Sequence, residues 1–314
     1  MENRTKAIQL ALATAIISGL ANFISKIAVD TIKPPLVFTT VKNAGVGLLI
    51  IAIVLLSRKW KKIFLLNKKE IFWLVTIGLI GGSLPFYLYF TGLSGTSAIN
   101  AALINKTMFI WVALLAVPLL KERFSIPQLV AVSLLFLSNV MIGGFKNFNF
   151  SGGELLILIA TVLWAIESIV AKKVLKTVDM DLVVLARMGL GSAVLIAASA
   201  VIYPTSLSRS FLMSSTQWLW MVLITAALFG YVMCWFRALK LAPASFVASI
   251  LVSATLVTNV LSAVFITKVW TTLMVAQGVL VVIGVGLLLW QFRVVKSIQE
   301  PYLSKILTEP LQEQ

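Results

Sequence analysis

Ten stretches of about twenty apolar residues follow one another along the chain and leave room for little else. They run 7–27, 36–56, 71–91, 98–120, 126–144, 154–171, 182–202, 217–236, 244–266 and 272–292. A helix that crosses the hydrocarbon core of a bilayer needs about 20 such residues. Backbone polar groups in lipid must be satisfied within the segment, so each stretch reads as a helix. At 60% hydrophobic and 12% charged, the chain has more apolar surface than a soluble core hides. The expected fold is all-α: a polytopic membrane protein of about ten transmembrane helices. The longest connections, 57–70 and 203–216, hold no soluble domain.

The net charge of +15 does not gather on one face, so nucleic acid is not an expected partner. The charges sit in short clusters between apolar runs, as membrane topology requires. With the N-terminus cytoplasmic, 18 of the 26 Lys and Arg fall on the inner side and 5 on the outer. The other 3, Lys42, Lys106 and Arg187, lie within spans. This bias predicts a multi-pass protein of the cell membrane with both termini inside. The first apolar run lacks a small-residue cleavage site followed by a polar domain, so it reads as the first span. Residues 293–314, with Pro301 and Pro310, read as a partly helical or disordered cytoplasmic tail. The chain has no His and one Cys, Cys234. An intramolecular disulfide is therefore excluded, and no metal or other cofactor is expected. No glycine-rich phosphate loop is present, which argues against an ATP-driven pump.

The chain repeats itself. At an offset of 146 residues "YFTGL" (Tyr89–Leu93) meets "WFRAL" (Trp235–Leu239), and "SAINAALI" meets "PASFVASI". "VPLLKERFS" meets "AVFITKVWT" with one residue of slack, setting Glu122 on Lys268. Further forward, Ala13-Thr14 falls on Ala160-Thr161, Lys26 on Lys173, and Lys42 on Arg187 after a two-residue gap. Five spans per copy is an odd number, so the second copy enters the membrane from the opposite side. The units are 1–147 and 148–292, followed by the tail. Inverted repeats of this kind place a substrate site near the midplane, between the halves.

On these features the chain resembles the EamA-type transporters of the drug/metabolite transporter superfamily, over roughly residues 6–292. Two motif regions carry the likeness. Trp164-Ala165 with Lys173 is similar to the family's first-helix pattern, and Pro118-Leu119-Leu120-Lys121-Glu122 to the end of its fourth helix. The first copy lacks the Trp, and the second has Val264 and Lys268 where the first has Pro118 and Glu122. The resemblance implies transport of a small metabolite, an amino acid or related solute among them, in the direction of export.

Few residues stand out from the apolar background. Lys106 lies about 12 Å into its span, too deep for its stem to reach the surface, and a central charge costs roughly 2.5–3.5 kcal/mol. It either faces a central cavity and contacts an anionic group, or serves as a structural cation between helices. The equivalent residue is Val252, so the fold does not demand a lysine here. Asn105 beside it, Trp164 and Glu167 complete the substrate-binding candidates. Glu167 has a second reading, as an inner-end carboxylate paired with Lys172 or Lys173. Asn22 and Asn100 read as helix–helix hydrogen-bonding amides. Lys42 and Arg187, symmetric in the repeat, read as gate or helix-interface elements. Pro85, in "GGSLPFYLYF", reads as a kink or hinge. The leading function is a secondary transporter working by alternating access, with no enzymatic activity. Its expected partners are a small-molecule substrate and membrane lipids, and the chain is expected to be a monomer or homodimer. A flippase for lipids or other amphipathic molecules is the main alternative, and a channel the weaker one.

Overall fold

The computed structural model describes residues 2–28, 33–96, 98–122, 124–143 and 151–308. Helix α1 is Glu2–Ala28 and α2 is Pro35–Leu56. Helix α3 consists of Lys68–Ile77 and Leu84–Ser94, joined by the π-helical turn Gly78–Ser83. Helix α4 is broken into Ala98–Lys106 and Met108–Leu120. Then come α5 (Ile126–Gly143), α6 (Gly152–Val174) and α7 (Met180–Ile202, with a π turn at Ala186–Leu190). Helix α8 is Ser215–Leu241. Helix α9 is Ala244–Leu251 and Ala254–Ser262 with a π turn at Ala263–Thr267, and α10 is Thr272–Thr308. Nine helices among the described residues are long and apolar enough to cross a bilayer, and Ile126–Met141 is a shorter apolar helix. The protein is an all-helical, multi-pass membrane protein.

Short polar signals set the helix ends. Pro35 opens α2 with its φ already helical and no N–H to waste. Reciprocal capping boxes start α3 (Asn67 and Glu70), α6 (Ser151 and Glu154) and α8 (Ser214 and Gln217). Asp179 caps α7. Helix α10 continues past Arg293 into the segment read as a tail.

The packing reproduces the repeat. Helix α1 lies against α8 and α9, as α6 lies against α3 and α4; α2 touches α8 as α7 touches α3. The contacts α2–α7, α4–α9 and α5–α10 close the set. Exchanging each helix with the one five places on therefore returns the same neighbours. Alternate connections gather on one face. Arg4 donates to the Arg293 carbonyl at 3.3 Å, Lys62 meets Asp179 at 2.6 Å, and Glu122 accepts from the Ala244 N–H at 2.7 Å. This face holds both ends of the bundle, as an even number of antiparallel helices requires.

Backbone irregularities fall where the repeat predicts and also where it does not. The break in α4 is at Thr107 (φ −67, ψ −7), and that in α9 is at Ser253 (φ −66, ψ −12), its repeat equivalent. Each hydroxyl bonds back to the carbonyl three residues earlier: Thr107 Oγ1 to Ile104 O at 2.6 Å, Ser253 Oγ to Ile250 O at 2.7 Å. The π turn in α9 has no counterpart in α4. A π turn inserts one residue into a helix. The left-handed caps that end α4 and α9 are accordingly Lys121 (φ 57) and Lys268 (φ 55), 147 residues apart. The backbone thus pairs Lys121 with Lys268, correcting the register that set Glu122 there.

Candidate functional site

The two broken helices meet. Asn105, Lys106, Met108 and Phe109 of α4, with Ala248, Leu251 and Val252 of α9, line a small, partly open cavity of about 30 Å³. Lys106 and Val252 are equivalent residues of the two repeats, as are Asn105 and Leu251, so the cavity lies at the pseudo-two-fold junction. Its volume is enough for a water or two. Lys106 ends the first half of α4 and is partly buried. Among the described residues its ammonium has no ion pair or hydrogen bond. Trp111 Nε1 donates to Thr107 Oγ1 at 3.2 Å and braces the break from below.

Trp164 and Glu167 do not line this cavity. They belong to a second centre, where the π turns of α3 and α7 cross. Gly82 makes the crossing possible: a Cβ there would stand 1.8 Å from the Arg187 carbonyl oxygen. One at Gly81 would stand 2.4 Å from Glu167 Cγ. Trp164 Nε1 donates to the Gly81 carbonyl at 3.1 Å, and its ring packs on Phe86 and Tyr89 at 5.2 and 5.7 Å. Glu167 Oε1 stands 3.6 Å from Arg187 Nε, with the two side chains 1% and 7% exposed. The carboxylate therefore pairs with Arg187 rather than with Lys172 or Lys173. Lys172 instead caps α8, donating to the Leu239 carbonyl and to the Ala242 carbonyl, the latter at 2.7 Å. Pro85 is the second residue after the π turn of α3, whose last residue, Ser83, leaves helical geometry (φ −130, ψ −73). The irregularity in that span is thus the π turn, with Pro85 restarting the helix.

Lys42 and Arg187 are each the eighth residue of their helices, entering from opposite faces. The Lys42 ammonium lies 5.9 Å from the Phe90 ring, and the Arg187 guanidinium 5.7 Å from the equivalent Phe236. Phe38 and Phe86 add two more rings around Lys42, at 5.5 and 5.7 Å.

Three further sets of residues gained roles that the sequence did not assign. Glu122 receives the N-terminus of α9: it accepts from the Ala244 and Ser245 N–H groups at 2.7 and 3.0 Å and from Ser245 Oγ at 2.5 Å. On the same face Lys59 binds Asp179 at 3.3 Å and Asp181 at closer range, and Lys62 binds Asp179. This cluster joins the α2–α3 connection of one repeat to the α6–α7 connection of the other. The hydrogen bond that Lys59 donates to the Asp181 carboxylate raises the Lys59 pKa. Burial alone would raise that of Asp179, but the hydrogen bonds from Lys62, the Asp181 N–H and Lys59 hold it below its ordinary value. The sequence signal was present: "DMD" opens α7 opposite the lysine-rich 57–69 connection. Glu154 accepts from Thr96 Oγ1 and from Asn100 Nδ2, the latter at 3.3 Å, so Asn100 bonds between helices as expected. Asn22 is exposed instead.

Comparison with known proteins fits this architecture. The sequence profile of the EamA-like transporter family matches residues 5–144 and again residues 151–290. A curated relative, the "Uncharacterized transporter YyaM" of Bacillus subtilis (strain 168), is 28% identical over 138 residues. That match takes in 42% of this chain and spans 45% of the relative's length. A solved crystal structure, titled only as that of a protein, superposes with a TM-score of 0.74. It covers 93% of this chain and 99% of its own at 17% identity, which shows the shared fold.

Proposed function

The chain belongs to the EamA-like transporter family, and we propose that it is a secondary carrier that moves a small metabolite across the cell membrane by alternating access. One observation carries this reading. Each repeat breaks one helix at an equivalent residue, Thr107 or Ser253, and the two breaks border one shared cavity. A helix broken at a repeat junction gives a carrier a point about which each half-helix turns. Lys106 supplies the cavity's charge. We assign it the contact with an anionic group of the solute, with Asn105 as a neighbouring amide. Solute moves outward, from a cytoplasmic face that carries both termini and the Lys59–Asp181 cluster. That cluster is the closure on that face. Trp164, Glu167 and Arg187 hold the crossing of α3 with α7. The protein uses no cofactor and catalyses no covalent step.

Counterflow in proteoliposomes, run across a panel of labelled metabolites, tests the class. Saturable exchange of one solute is the expected result; unsaturating conductance marks a channel, and lipid movement a flippase. With a transported solute in hand, Lys106→Met should lower exchange about tenfold or more while leaving insertion intact, and Lys106→Arg should retain part of it. Exchange unchanged in a properly inserted Lys106→Met protein refutes the role given to Lys106.

A further inference from the structure

The two repeats treat their second helices differently. In α7 the buried cation Arg187 has a resident counter-ion, Glu167, and its helix neighbours Val184 and Met188 are apolar. The equivalent positions in α2 are Thr39, Lys42 and Asn43. Residues three and four apart on a helix share a face, so these three form one polar patch. Thr39 and Asn43 are 0% exposed and Lys42 is 7% exposed. Thr39 Oγ1 and both polar atoms of the Asn43 amide have no hydrogen-bond partner. Lys42 has three phenyl rings and, among the described residues, no carboxylate within ion-pair distance. Where α6 supplies Glu167 to Arg187, the matching position of α1 is Leu20, at the offset that sets Thr14 on Thr161. Both of those threonines bond back to the carbonyl four residues earlier, which fixes that register.

Buried polar groups are almost always satisfied, and a buried ammonium is costly without an anion. Rings offset part of that cost but accept nothing from an amide or a hydroxyl. Four orphaned groups on one helix face, in a fold whose symmetric counterpart is either apolar or neutralised, form a polar half-site that the protein itself does not complete. We infer that Thr39, Lys42 and Asn43 form a binding site for a small oxyanion, a carboxylate or phosphate, that plays for Lys42 the part Glu167 plays for Arg187. Lys42 contributes the charge. The Asn43 amide and the Thr39 hydroxyl bond the same oxyanion or a polar group attached to it. Phe38, Phe86 and Phe90 wall the site. Lys42 and Lys106 stand at similar depths, about 11 and 12 Å from the ends of helices that enter from the same face. The site's use as a second station on a transport route rests on the carrier reading above; binding itself does not.

The test is a titration of the purified full-length chain, in nanodiscs of zwitterionic lipid, with inorganic phosphate and separately with acetate. Tryptophan fluorescence reports occupancy, since Trp164 packs on Phe86 beside Lys42. Lys42→Met should weaken binding of the effective probe about tenfold or more, and Asn43→Leu several-fold, whereas Lys42→Arg should stay near wild type. Lys106→Met should leave this binding in place. Failure of both probes to bind wild type at tens of millimolar overturns the site, as does wild-type affinity in Lys42→Met. If Lys106→Met alone abolishes binding, the α2 site is wrong and the cavity reading stands. If Lys42→Met removes binding while solute exchange ignores Lys106, the site stands and the role given to Lys106 falls.

Discussion

Glu167→Gln removes one charge from a buried pair and leaves the other stranded. The Oε1–Nε separation is 3.6 Å. At an effective dielectric of about 20, two unit charges that far apart attract by about 5 kcal/mol. The distance is too long for a hydrogen bond, and neither atom has another partner. Arg187 otherwise touches the Met188 sulfur through Nη1 at 3.9 Å and the Phe236 ring. The ring returns about 2 kcal/mol to an unpaired guanidinium. Breaking a buried pair from one side costs about 3–5 kcal/mol, whereas replacing both members with neutral groups is often neutral. Glu167→Gln and Arg187→Met should therefore each lower the thermal midpoint well below wild type, and the double variant should recover most of the loss. The assay is thermal unfolding of the purified protein in detergent, with recovery of monodisperse material as the check. Unfolding of Glu167→Gln at the wild-type midpoint refutes the electrostatic argument. Additive losses in the double variant refute the pairing.

Two further outcomes follow from contacts on the polar face. Glu122→Ala strips three hydrogen bonds from the N-terminus of an eight-residue half-helix. A lost cap costs about 1 kcal/mol and a lost N-terminal charge up to about 1 more. The thermal midpoint should fall by several degrees, with Glu122→Gln between the two. The Lys59–Asp179–Asp181–Lys62 cluster should respond to pH with a definite sign. Asp179 titrates lower in the folded protein, so its contribution is present above the ordinary Asp pKa of about 3.9 and is lost as pH falls through the depressed value. Lys59 titrates higher, so its contribution is whole below about 10.4 and is lost only above its raised value. Spin labels on the 57–67 and 175–179 connections should report one short distance across the neutral range and a longer one in acid. A distance that opens near neutrality contradicts the assignment.

The number of apolar helices and the order of the repeats were legible, because lipid imposes length and apolarity on every crossing segment. So was the symmetry of Lys42 with Arg187. What stayed hidden was lateral. A span's sequence gives depth along the bilayer normal but not the neighbour it faces, so Glu167 suggested its chain neighbours Lys172 and Lys173, and Arg187 was not foreseen. Packing chose Arg187 through Gly81 and Gly82, whose missing side chains bring α3 against α7. The break at Thr107 was also hidden. Its residues have ordinary helix propensities, and only the match of Thr107 with Ser253 in hydroxyl and position hinted at it. The π turn of α9 left a trace as the one residue of slack in the alignment of "VPLLKERFS" with "AVFITKVWT".

Symmetry sorts the polar residues by what they do. The pairs Thr14 and Thr161, Thr107 and Ser253, Phe90 and Phe236, and Lys121 and Lys268 perform the same local task in both repeats. Those tasks shape helices, and an inverted repeat needs them twice. On the alternating-access reading proposed above, identical halves would make the outward- and inward-facing states two-fold-related conformations of equal free energy. Every departure from symmetry then weights one state or supplies chemistry that the fold does not require. Lys106 against Val252, Glu167 against Leu20, and Asn43 against Met188 are such departures. Two of them change a buried charge, which is costly enough to move a conformational equilibrium by several-fold to many-fold. An uncoupled carrier gains no net direction from such a bias, since both directions of flux still balance at equal concentrations. The bias instead sets where the empty carrier waits. The Lys59–Asp181 cluster ties the repeats on one face; on the carrier reading proposed above it is the closure there, and opening begins by separating those four side chains.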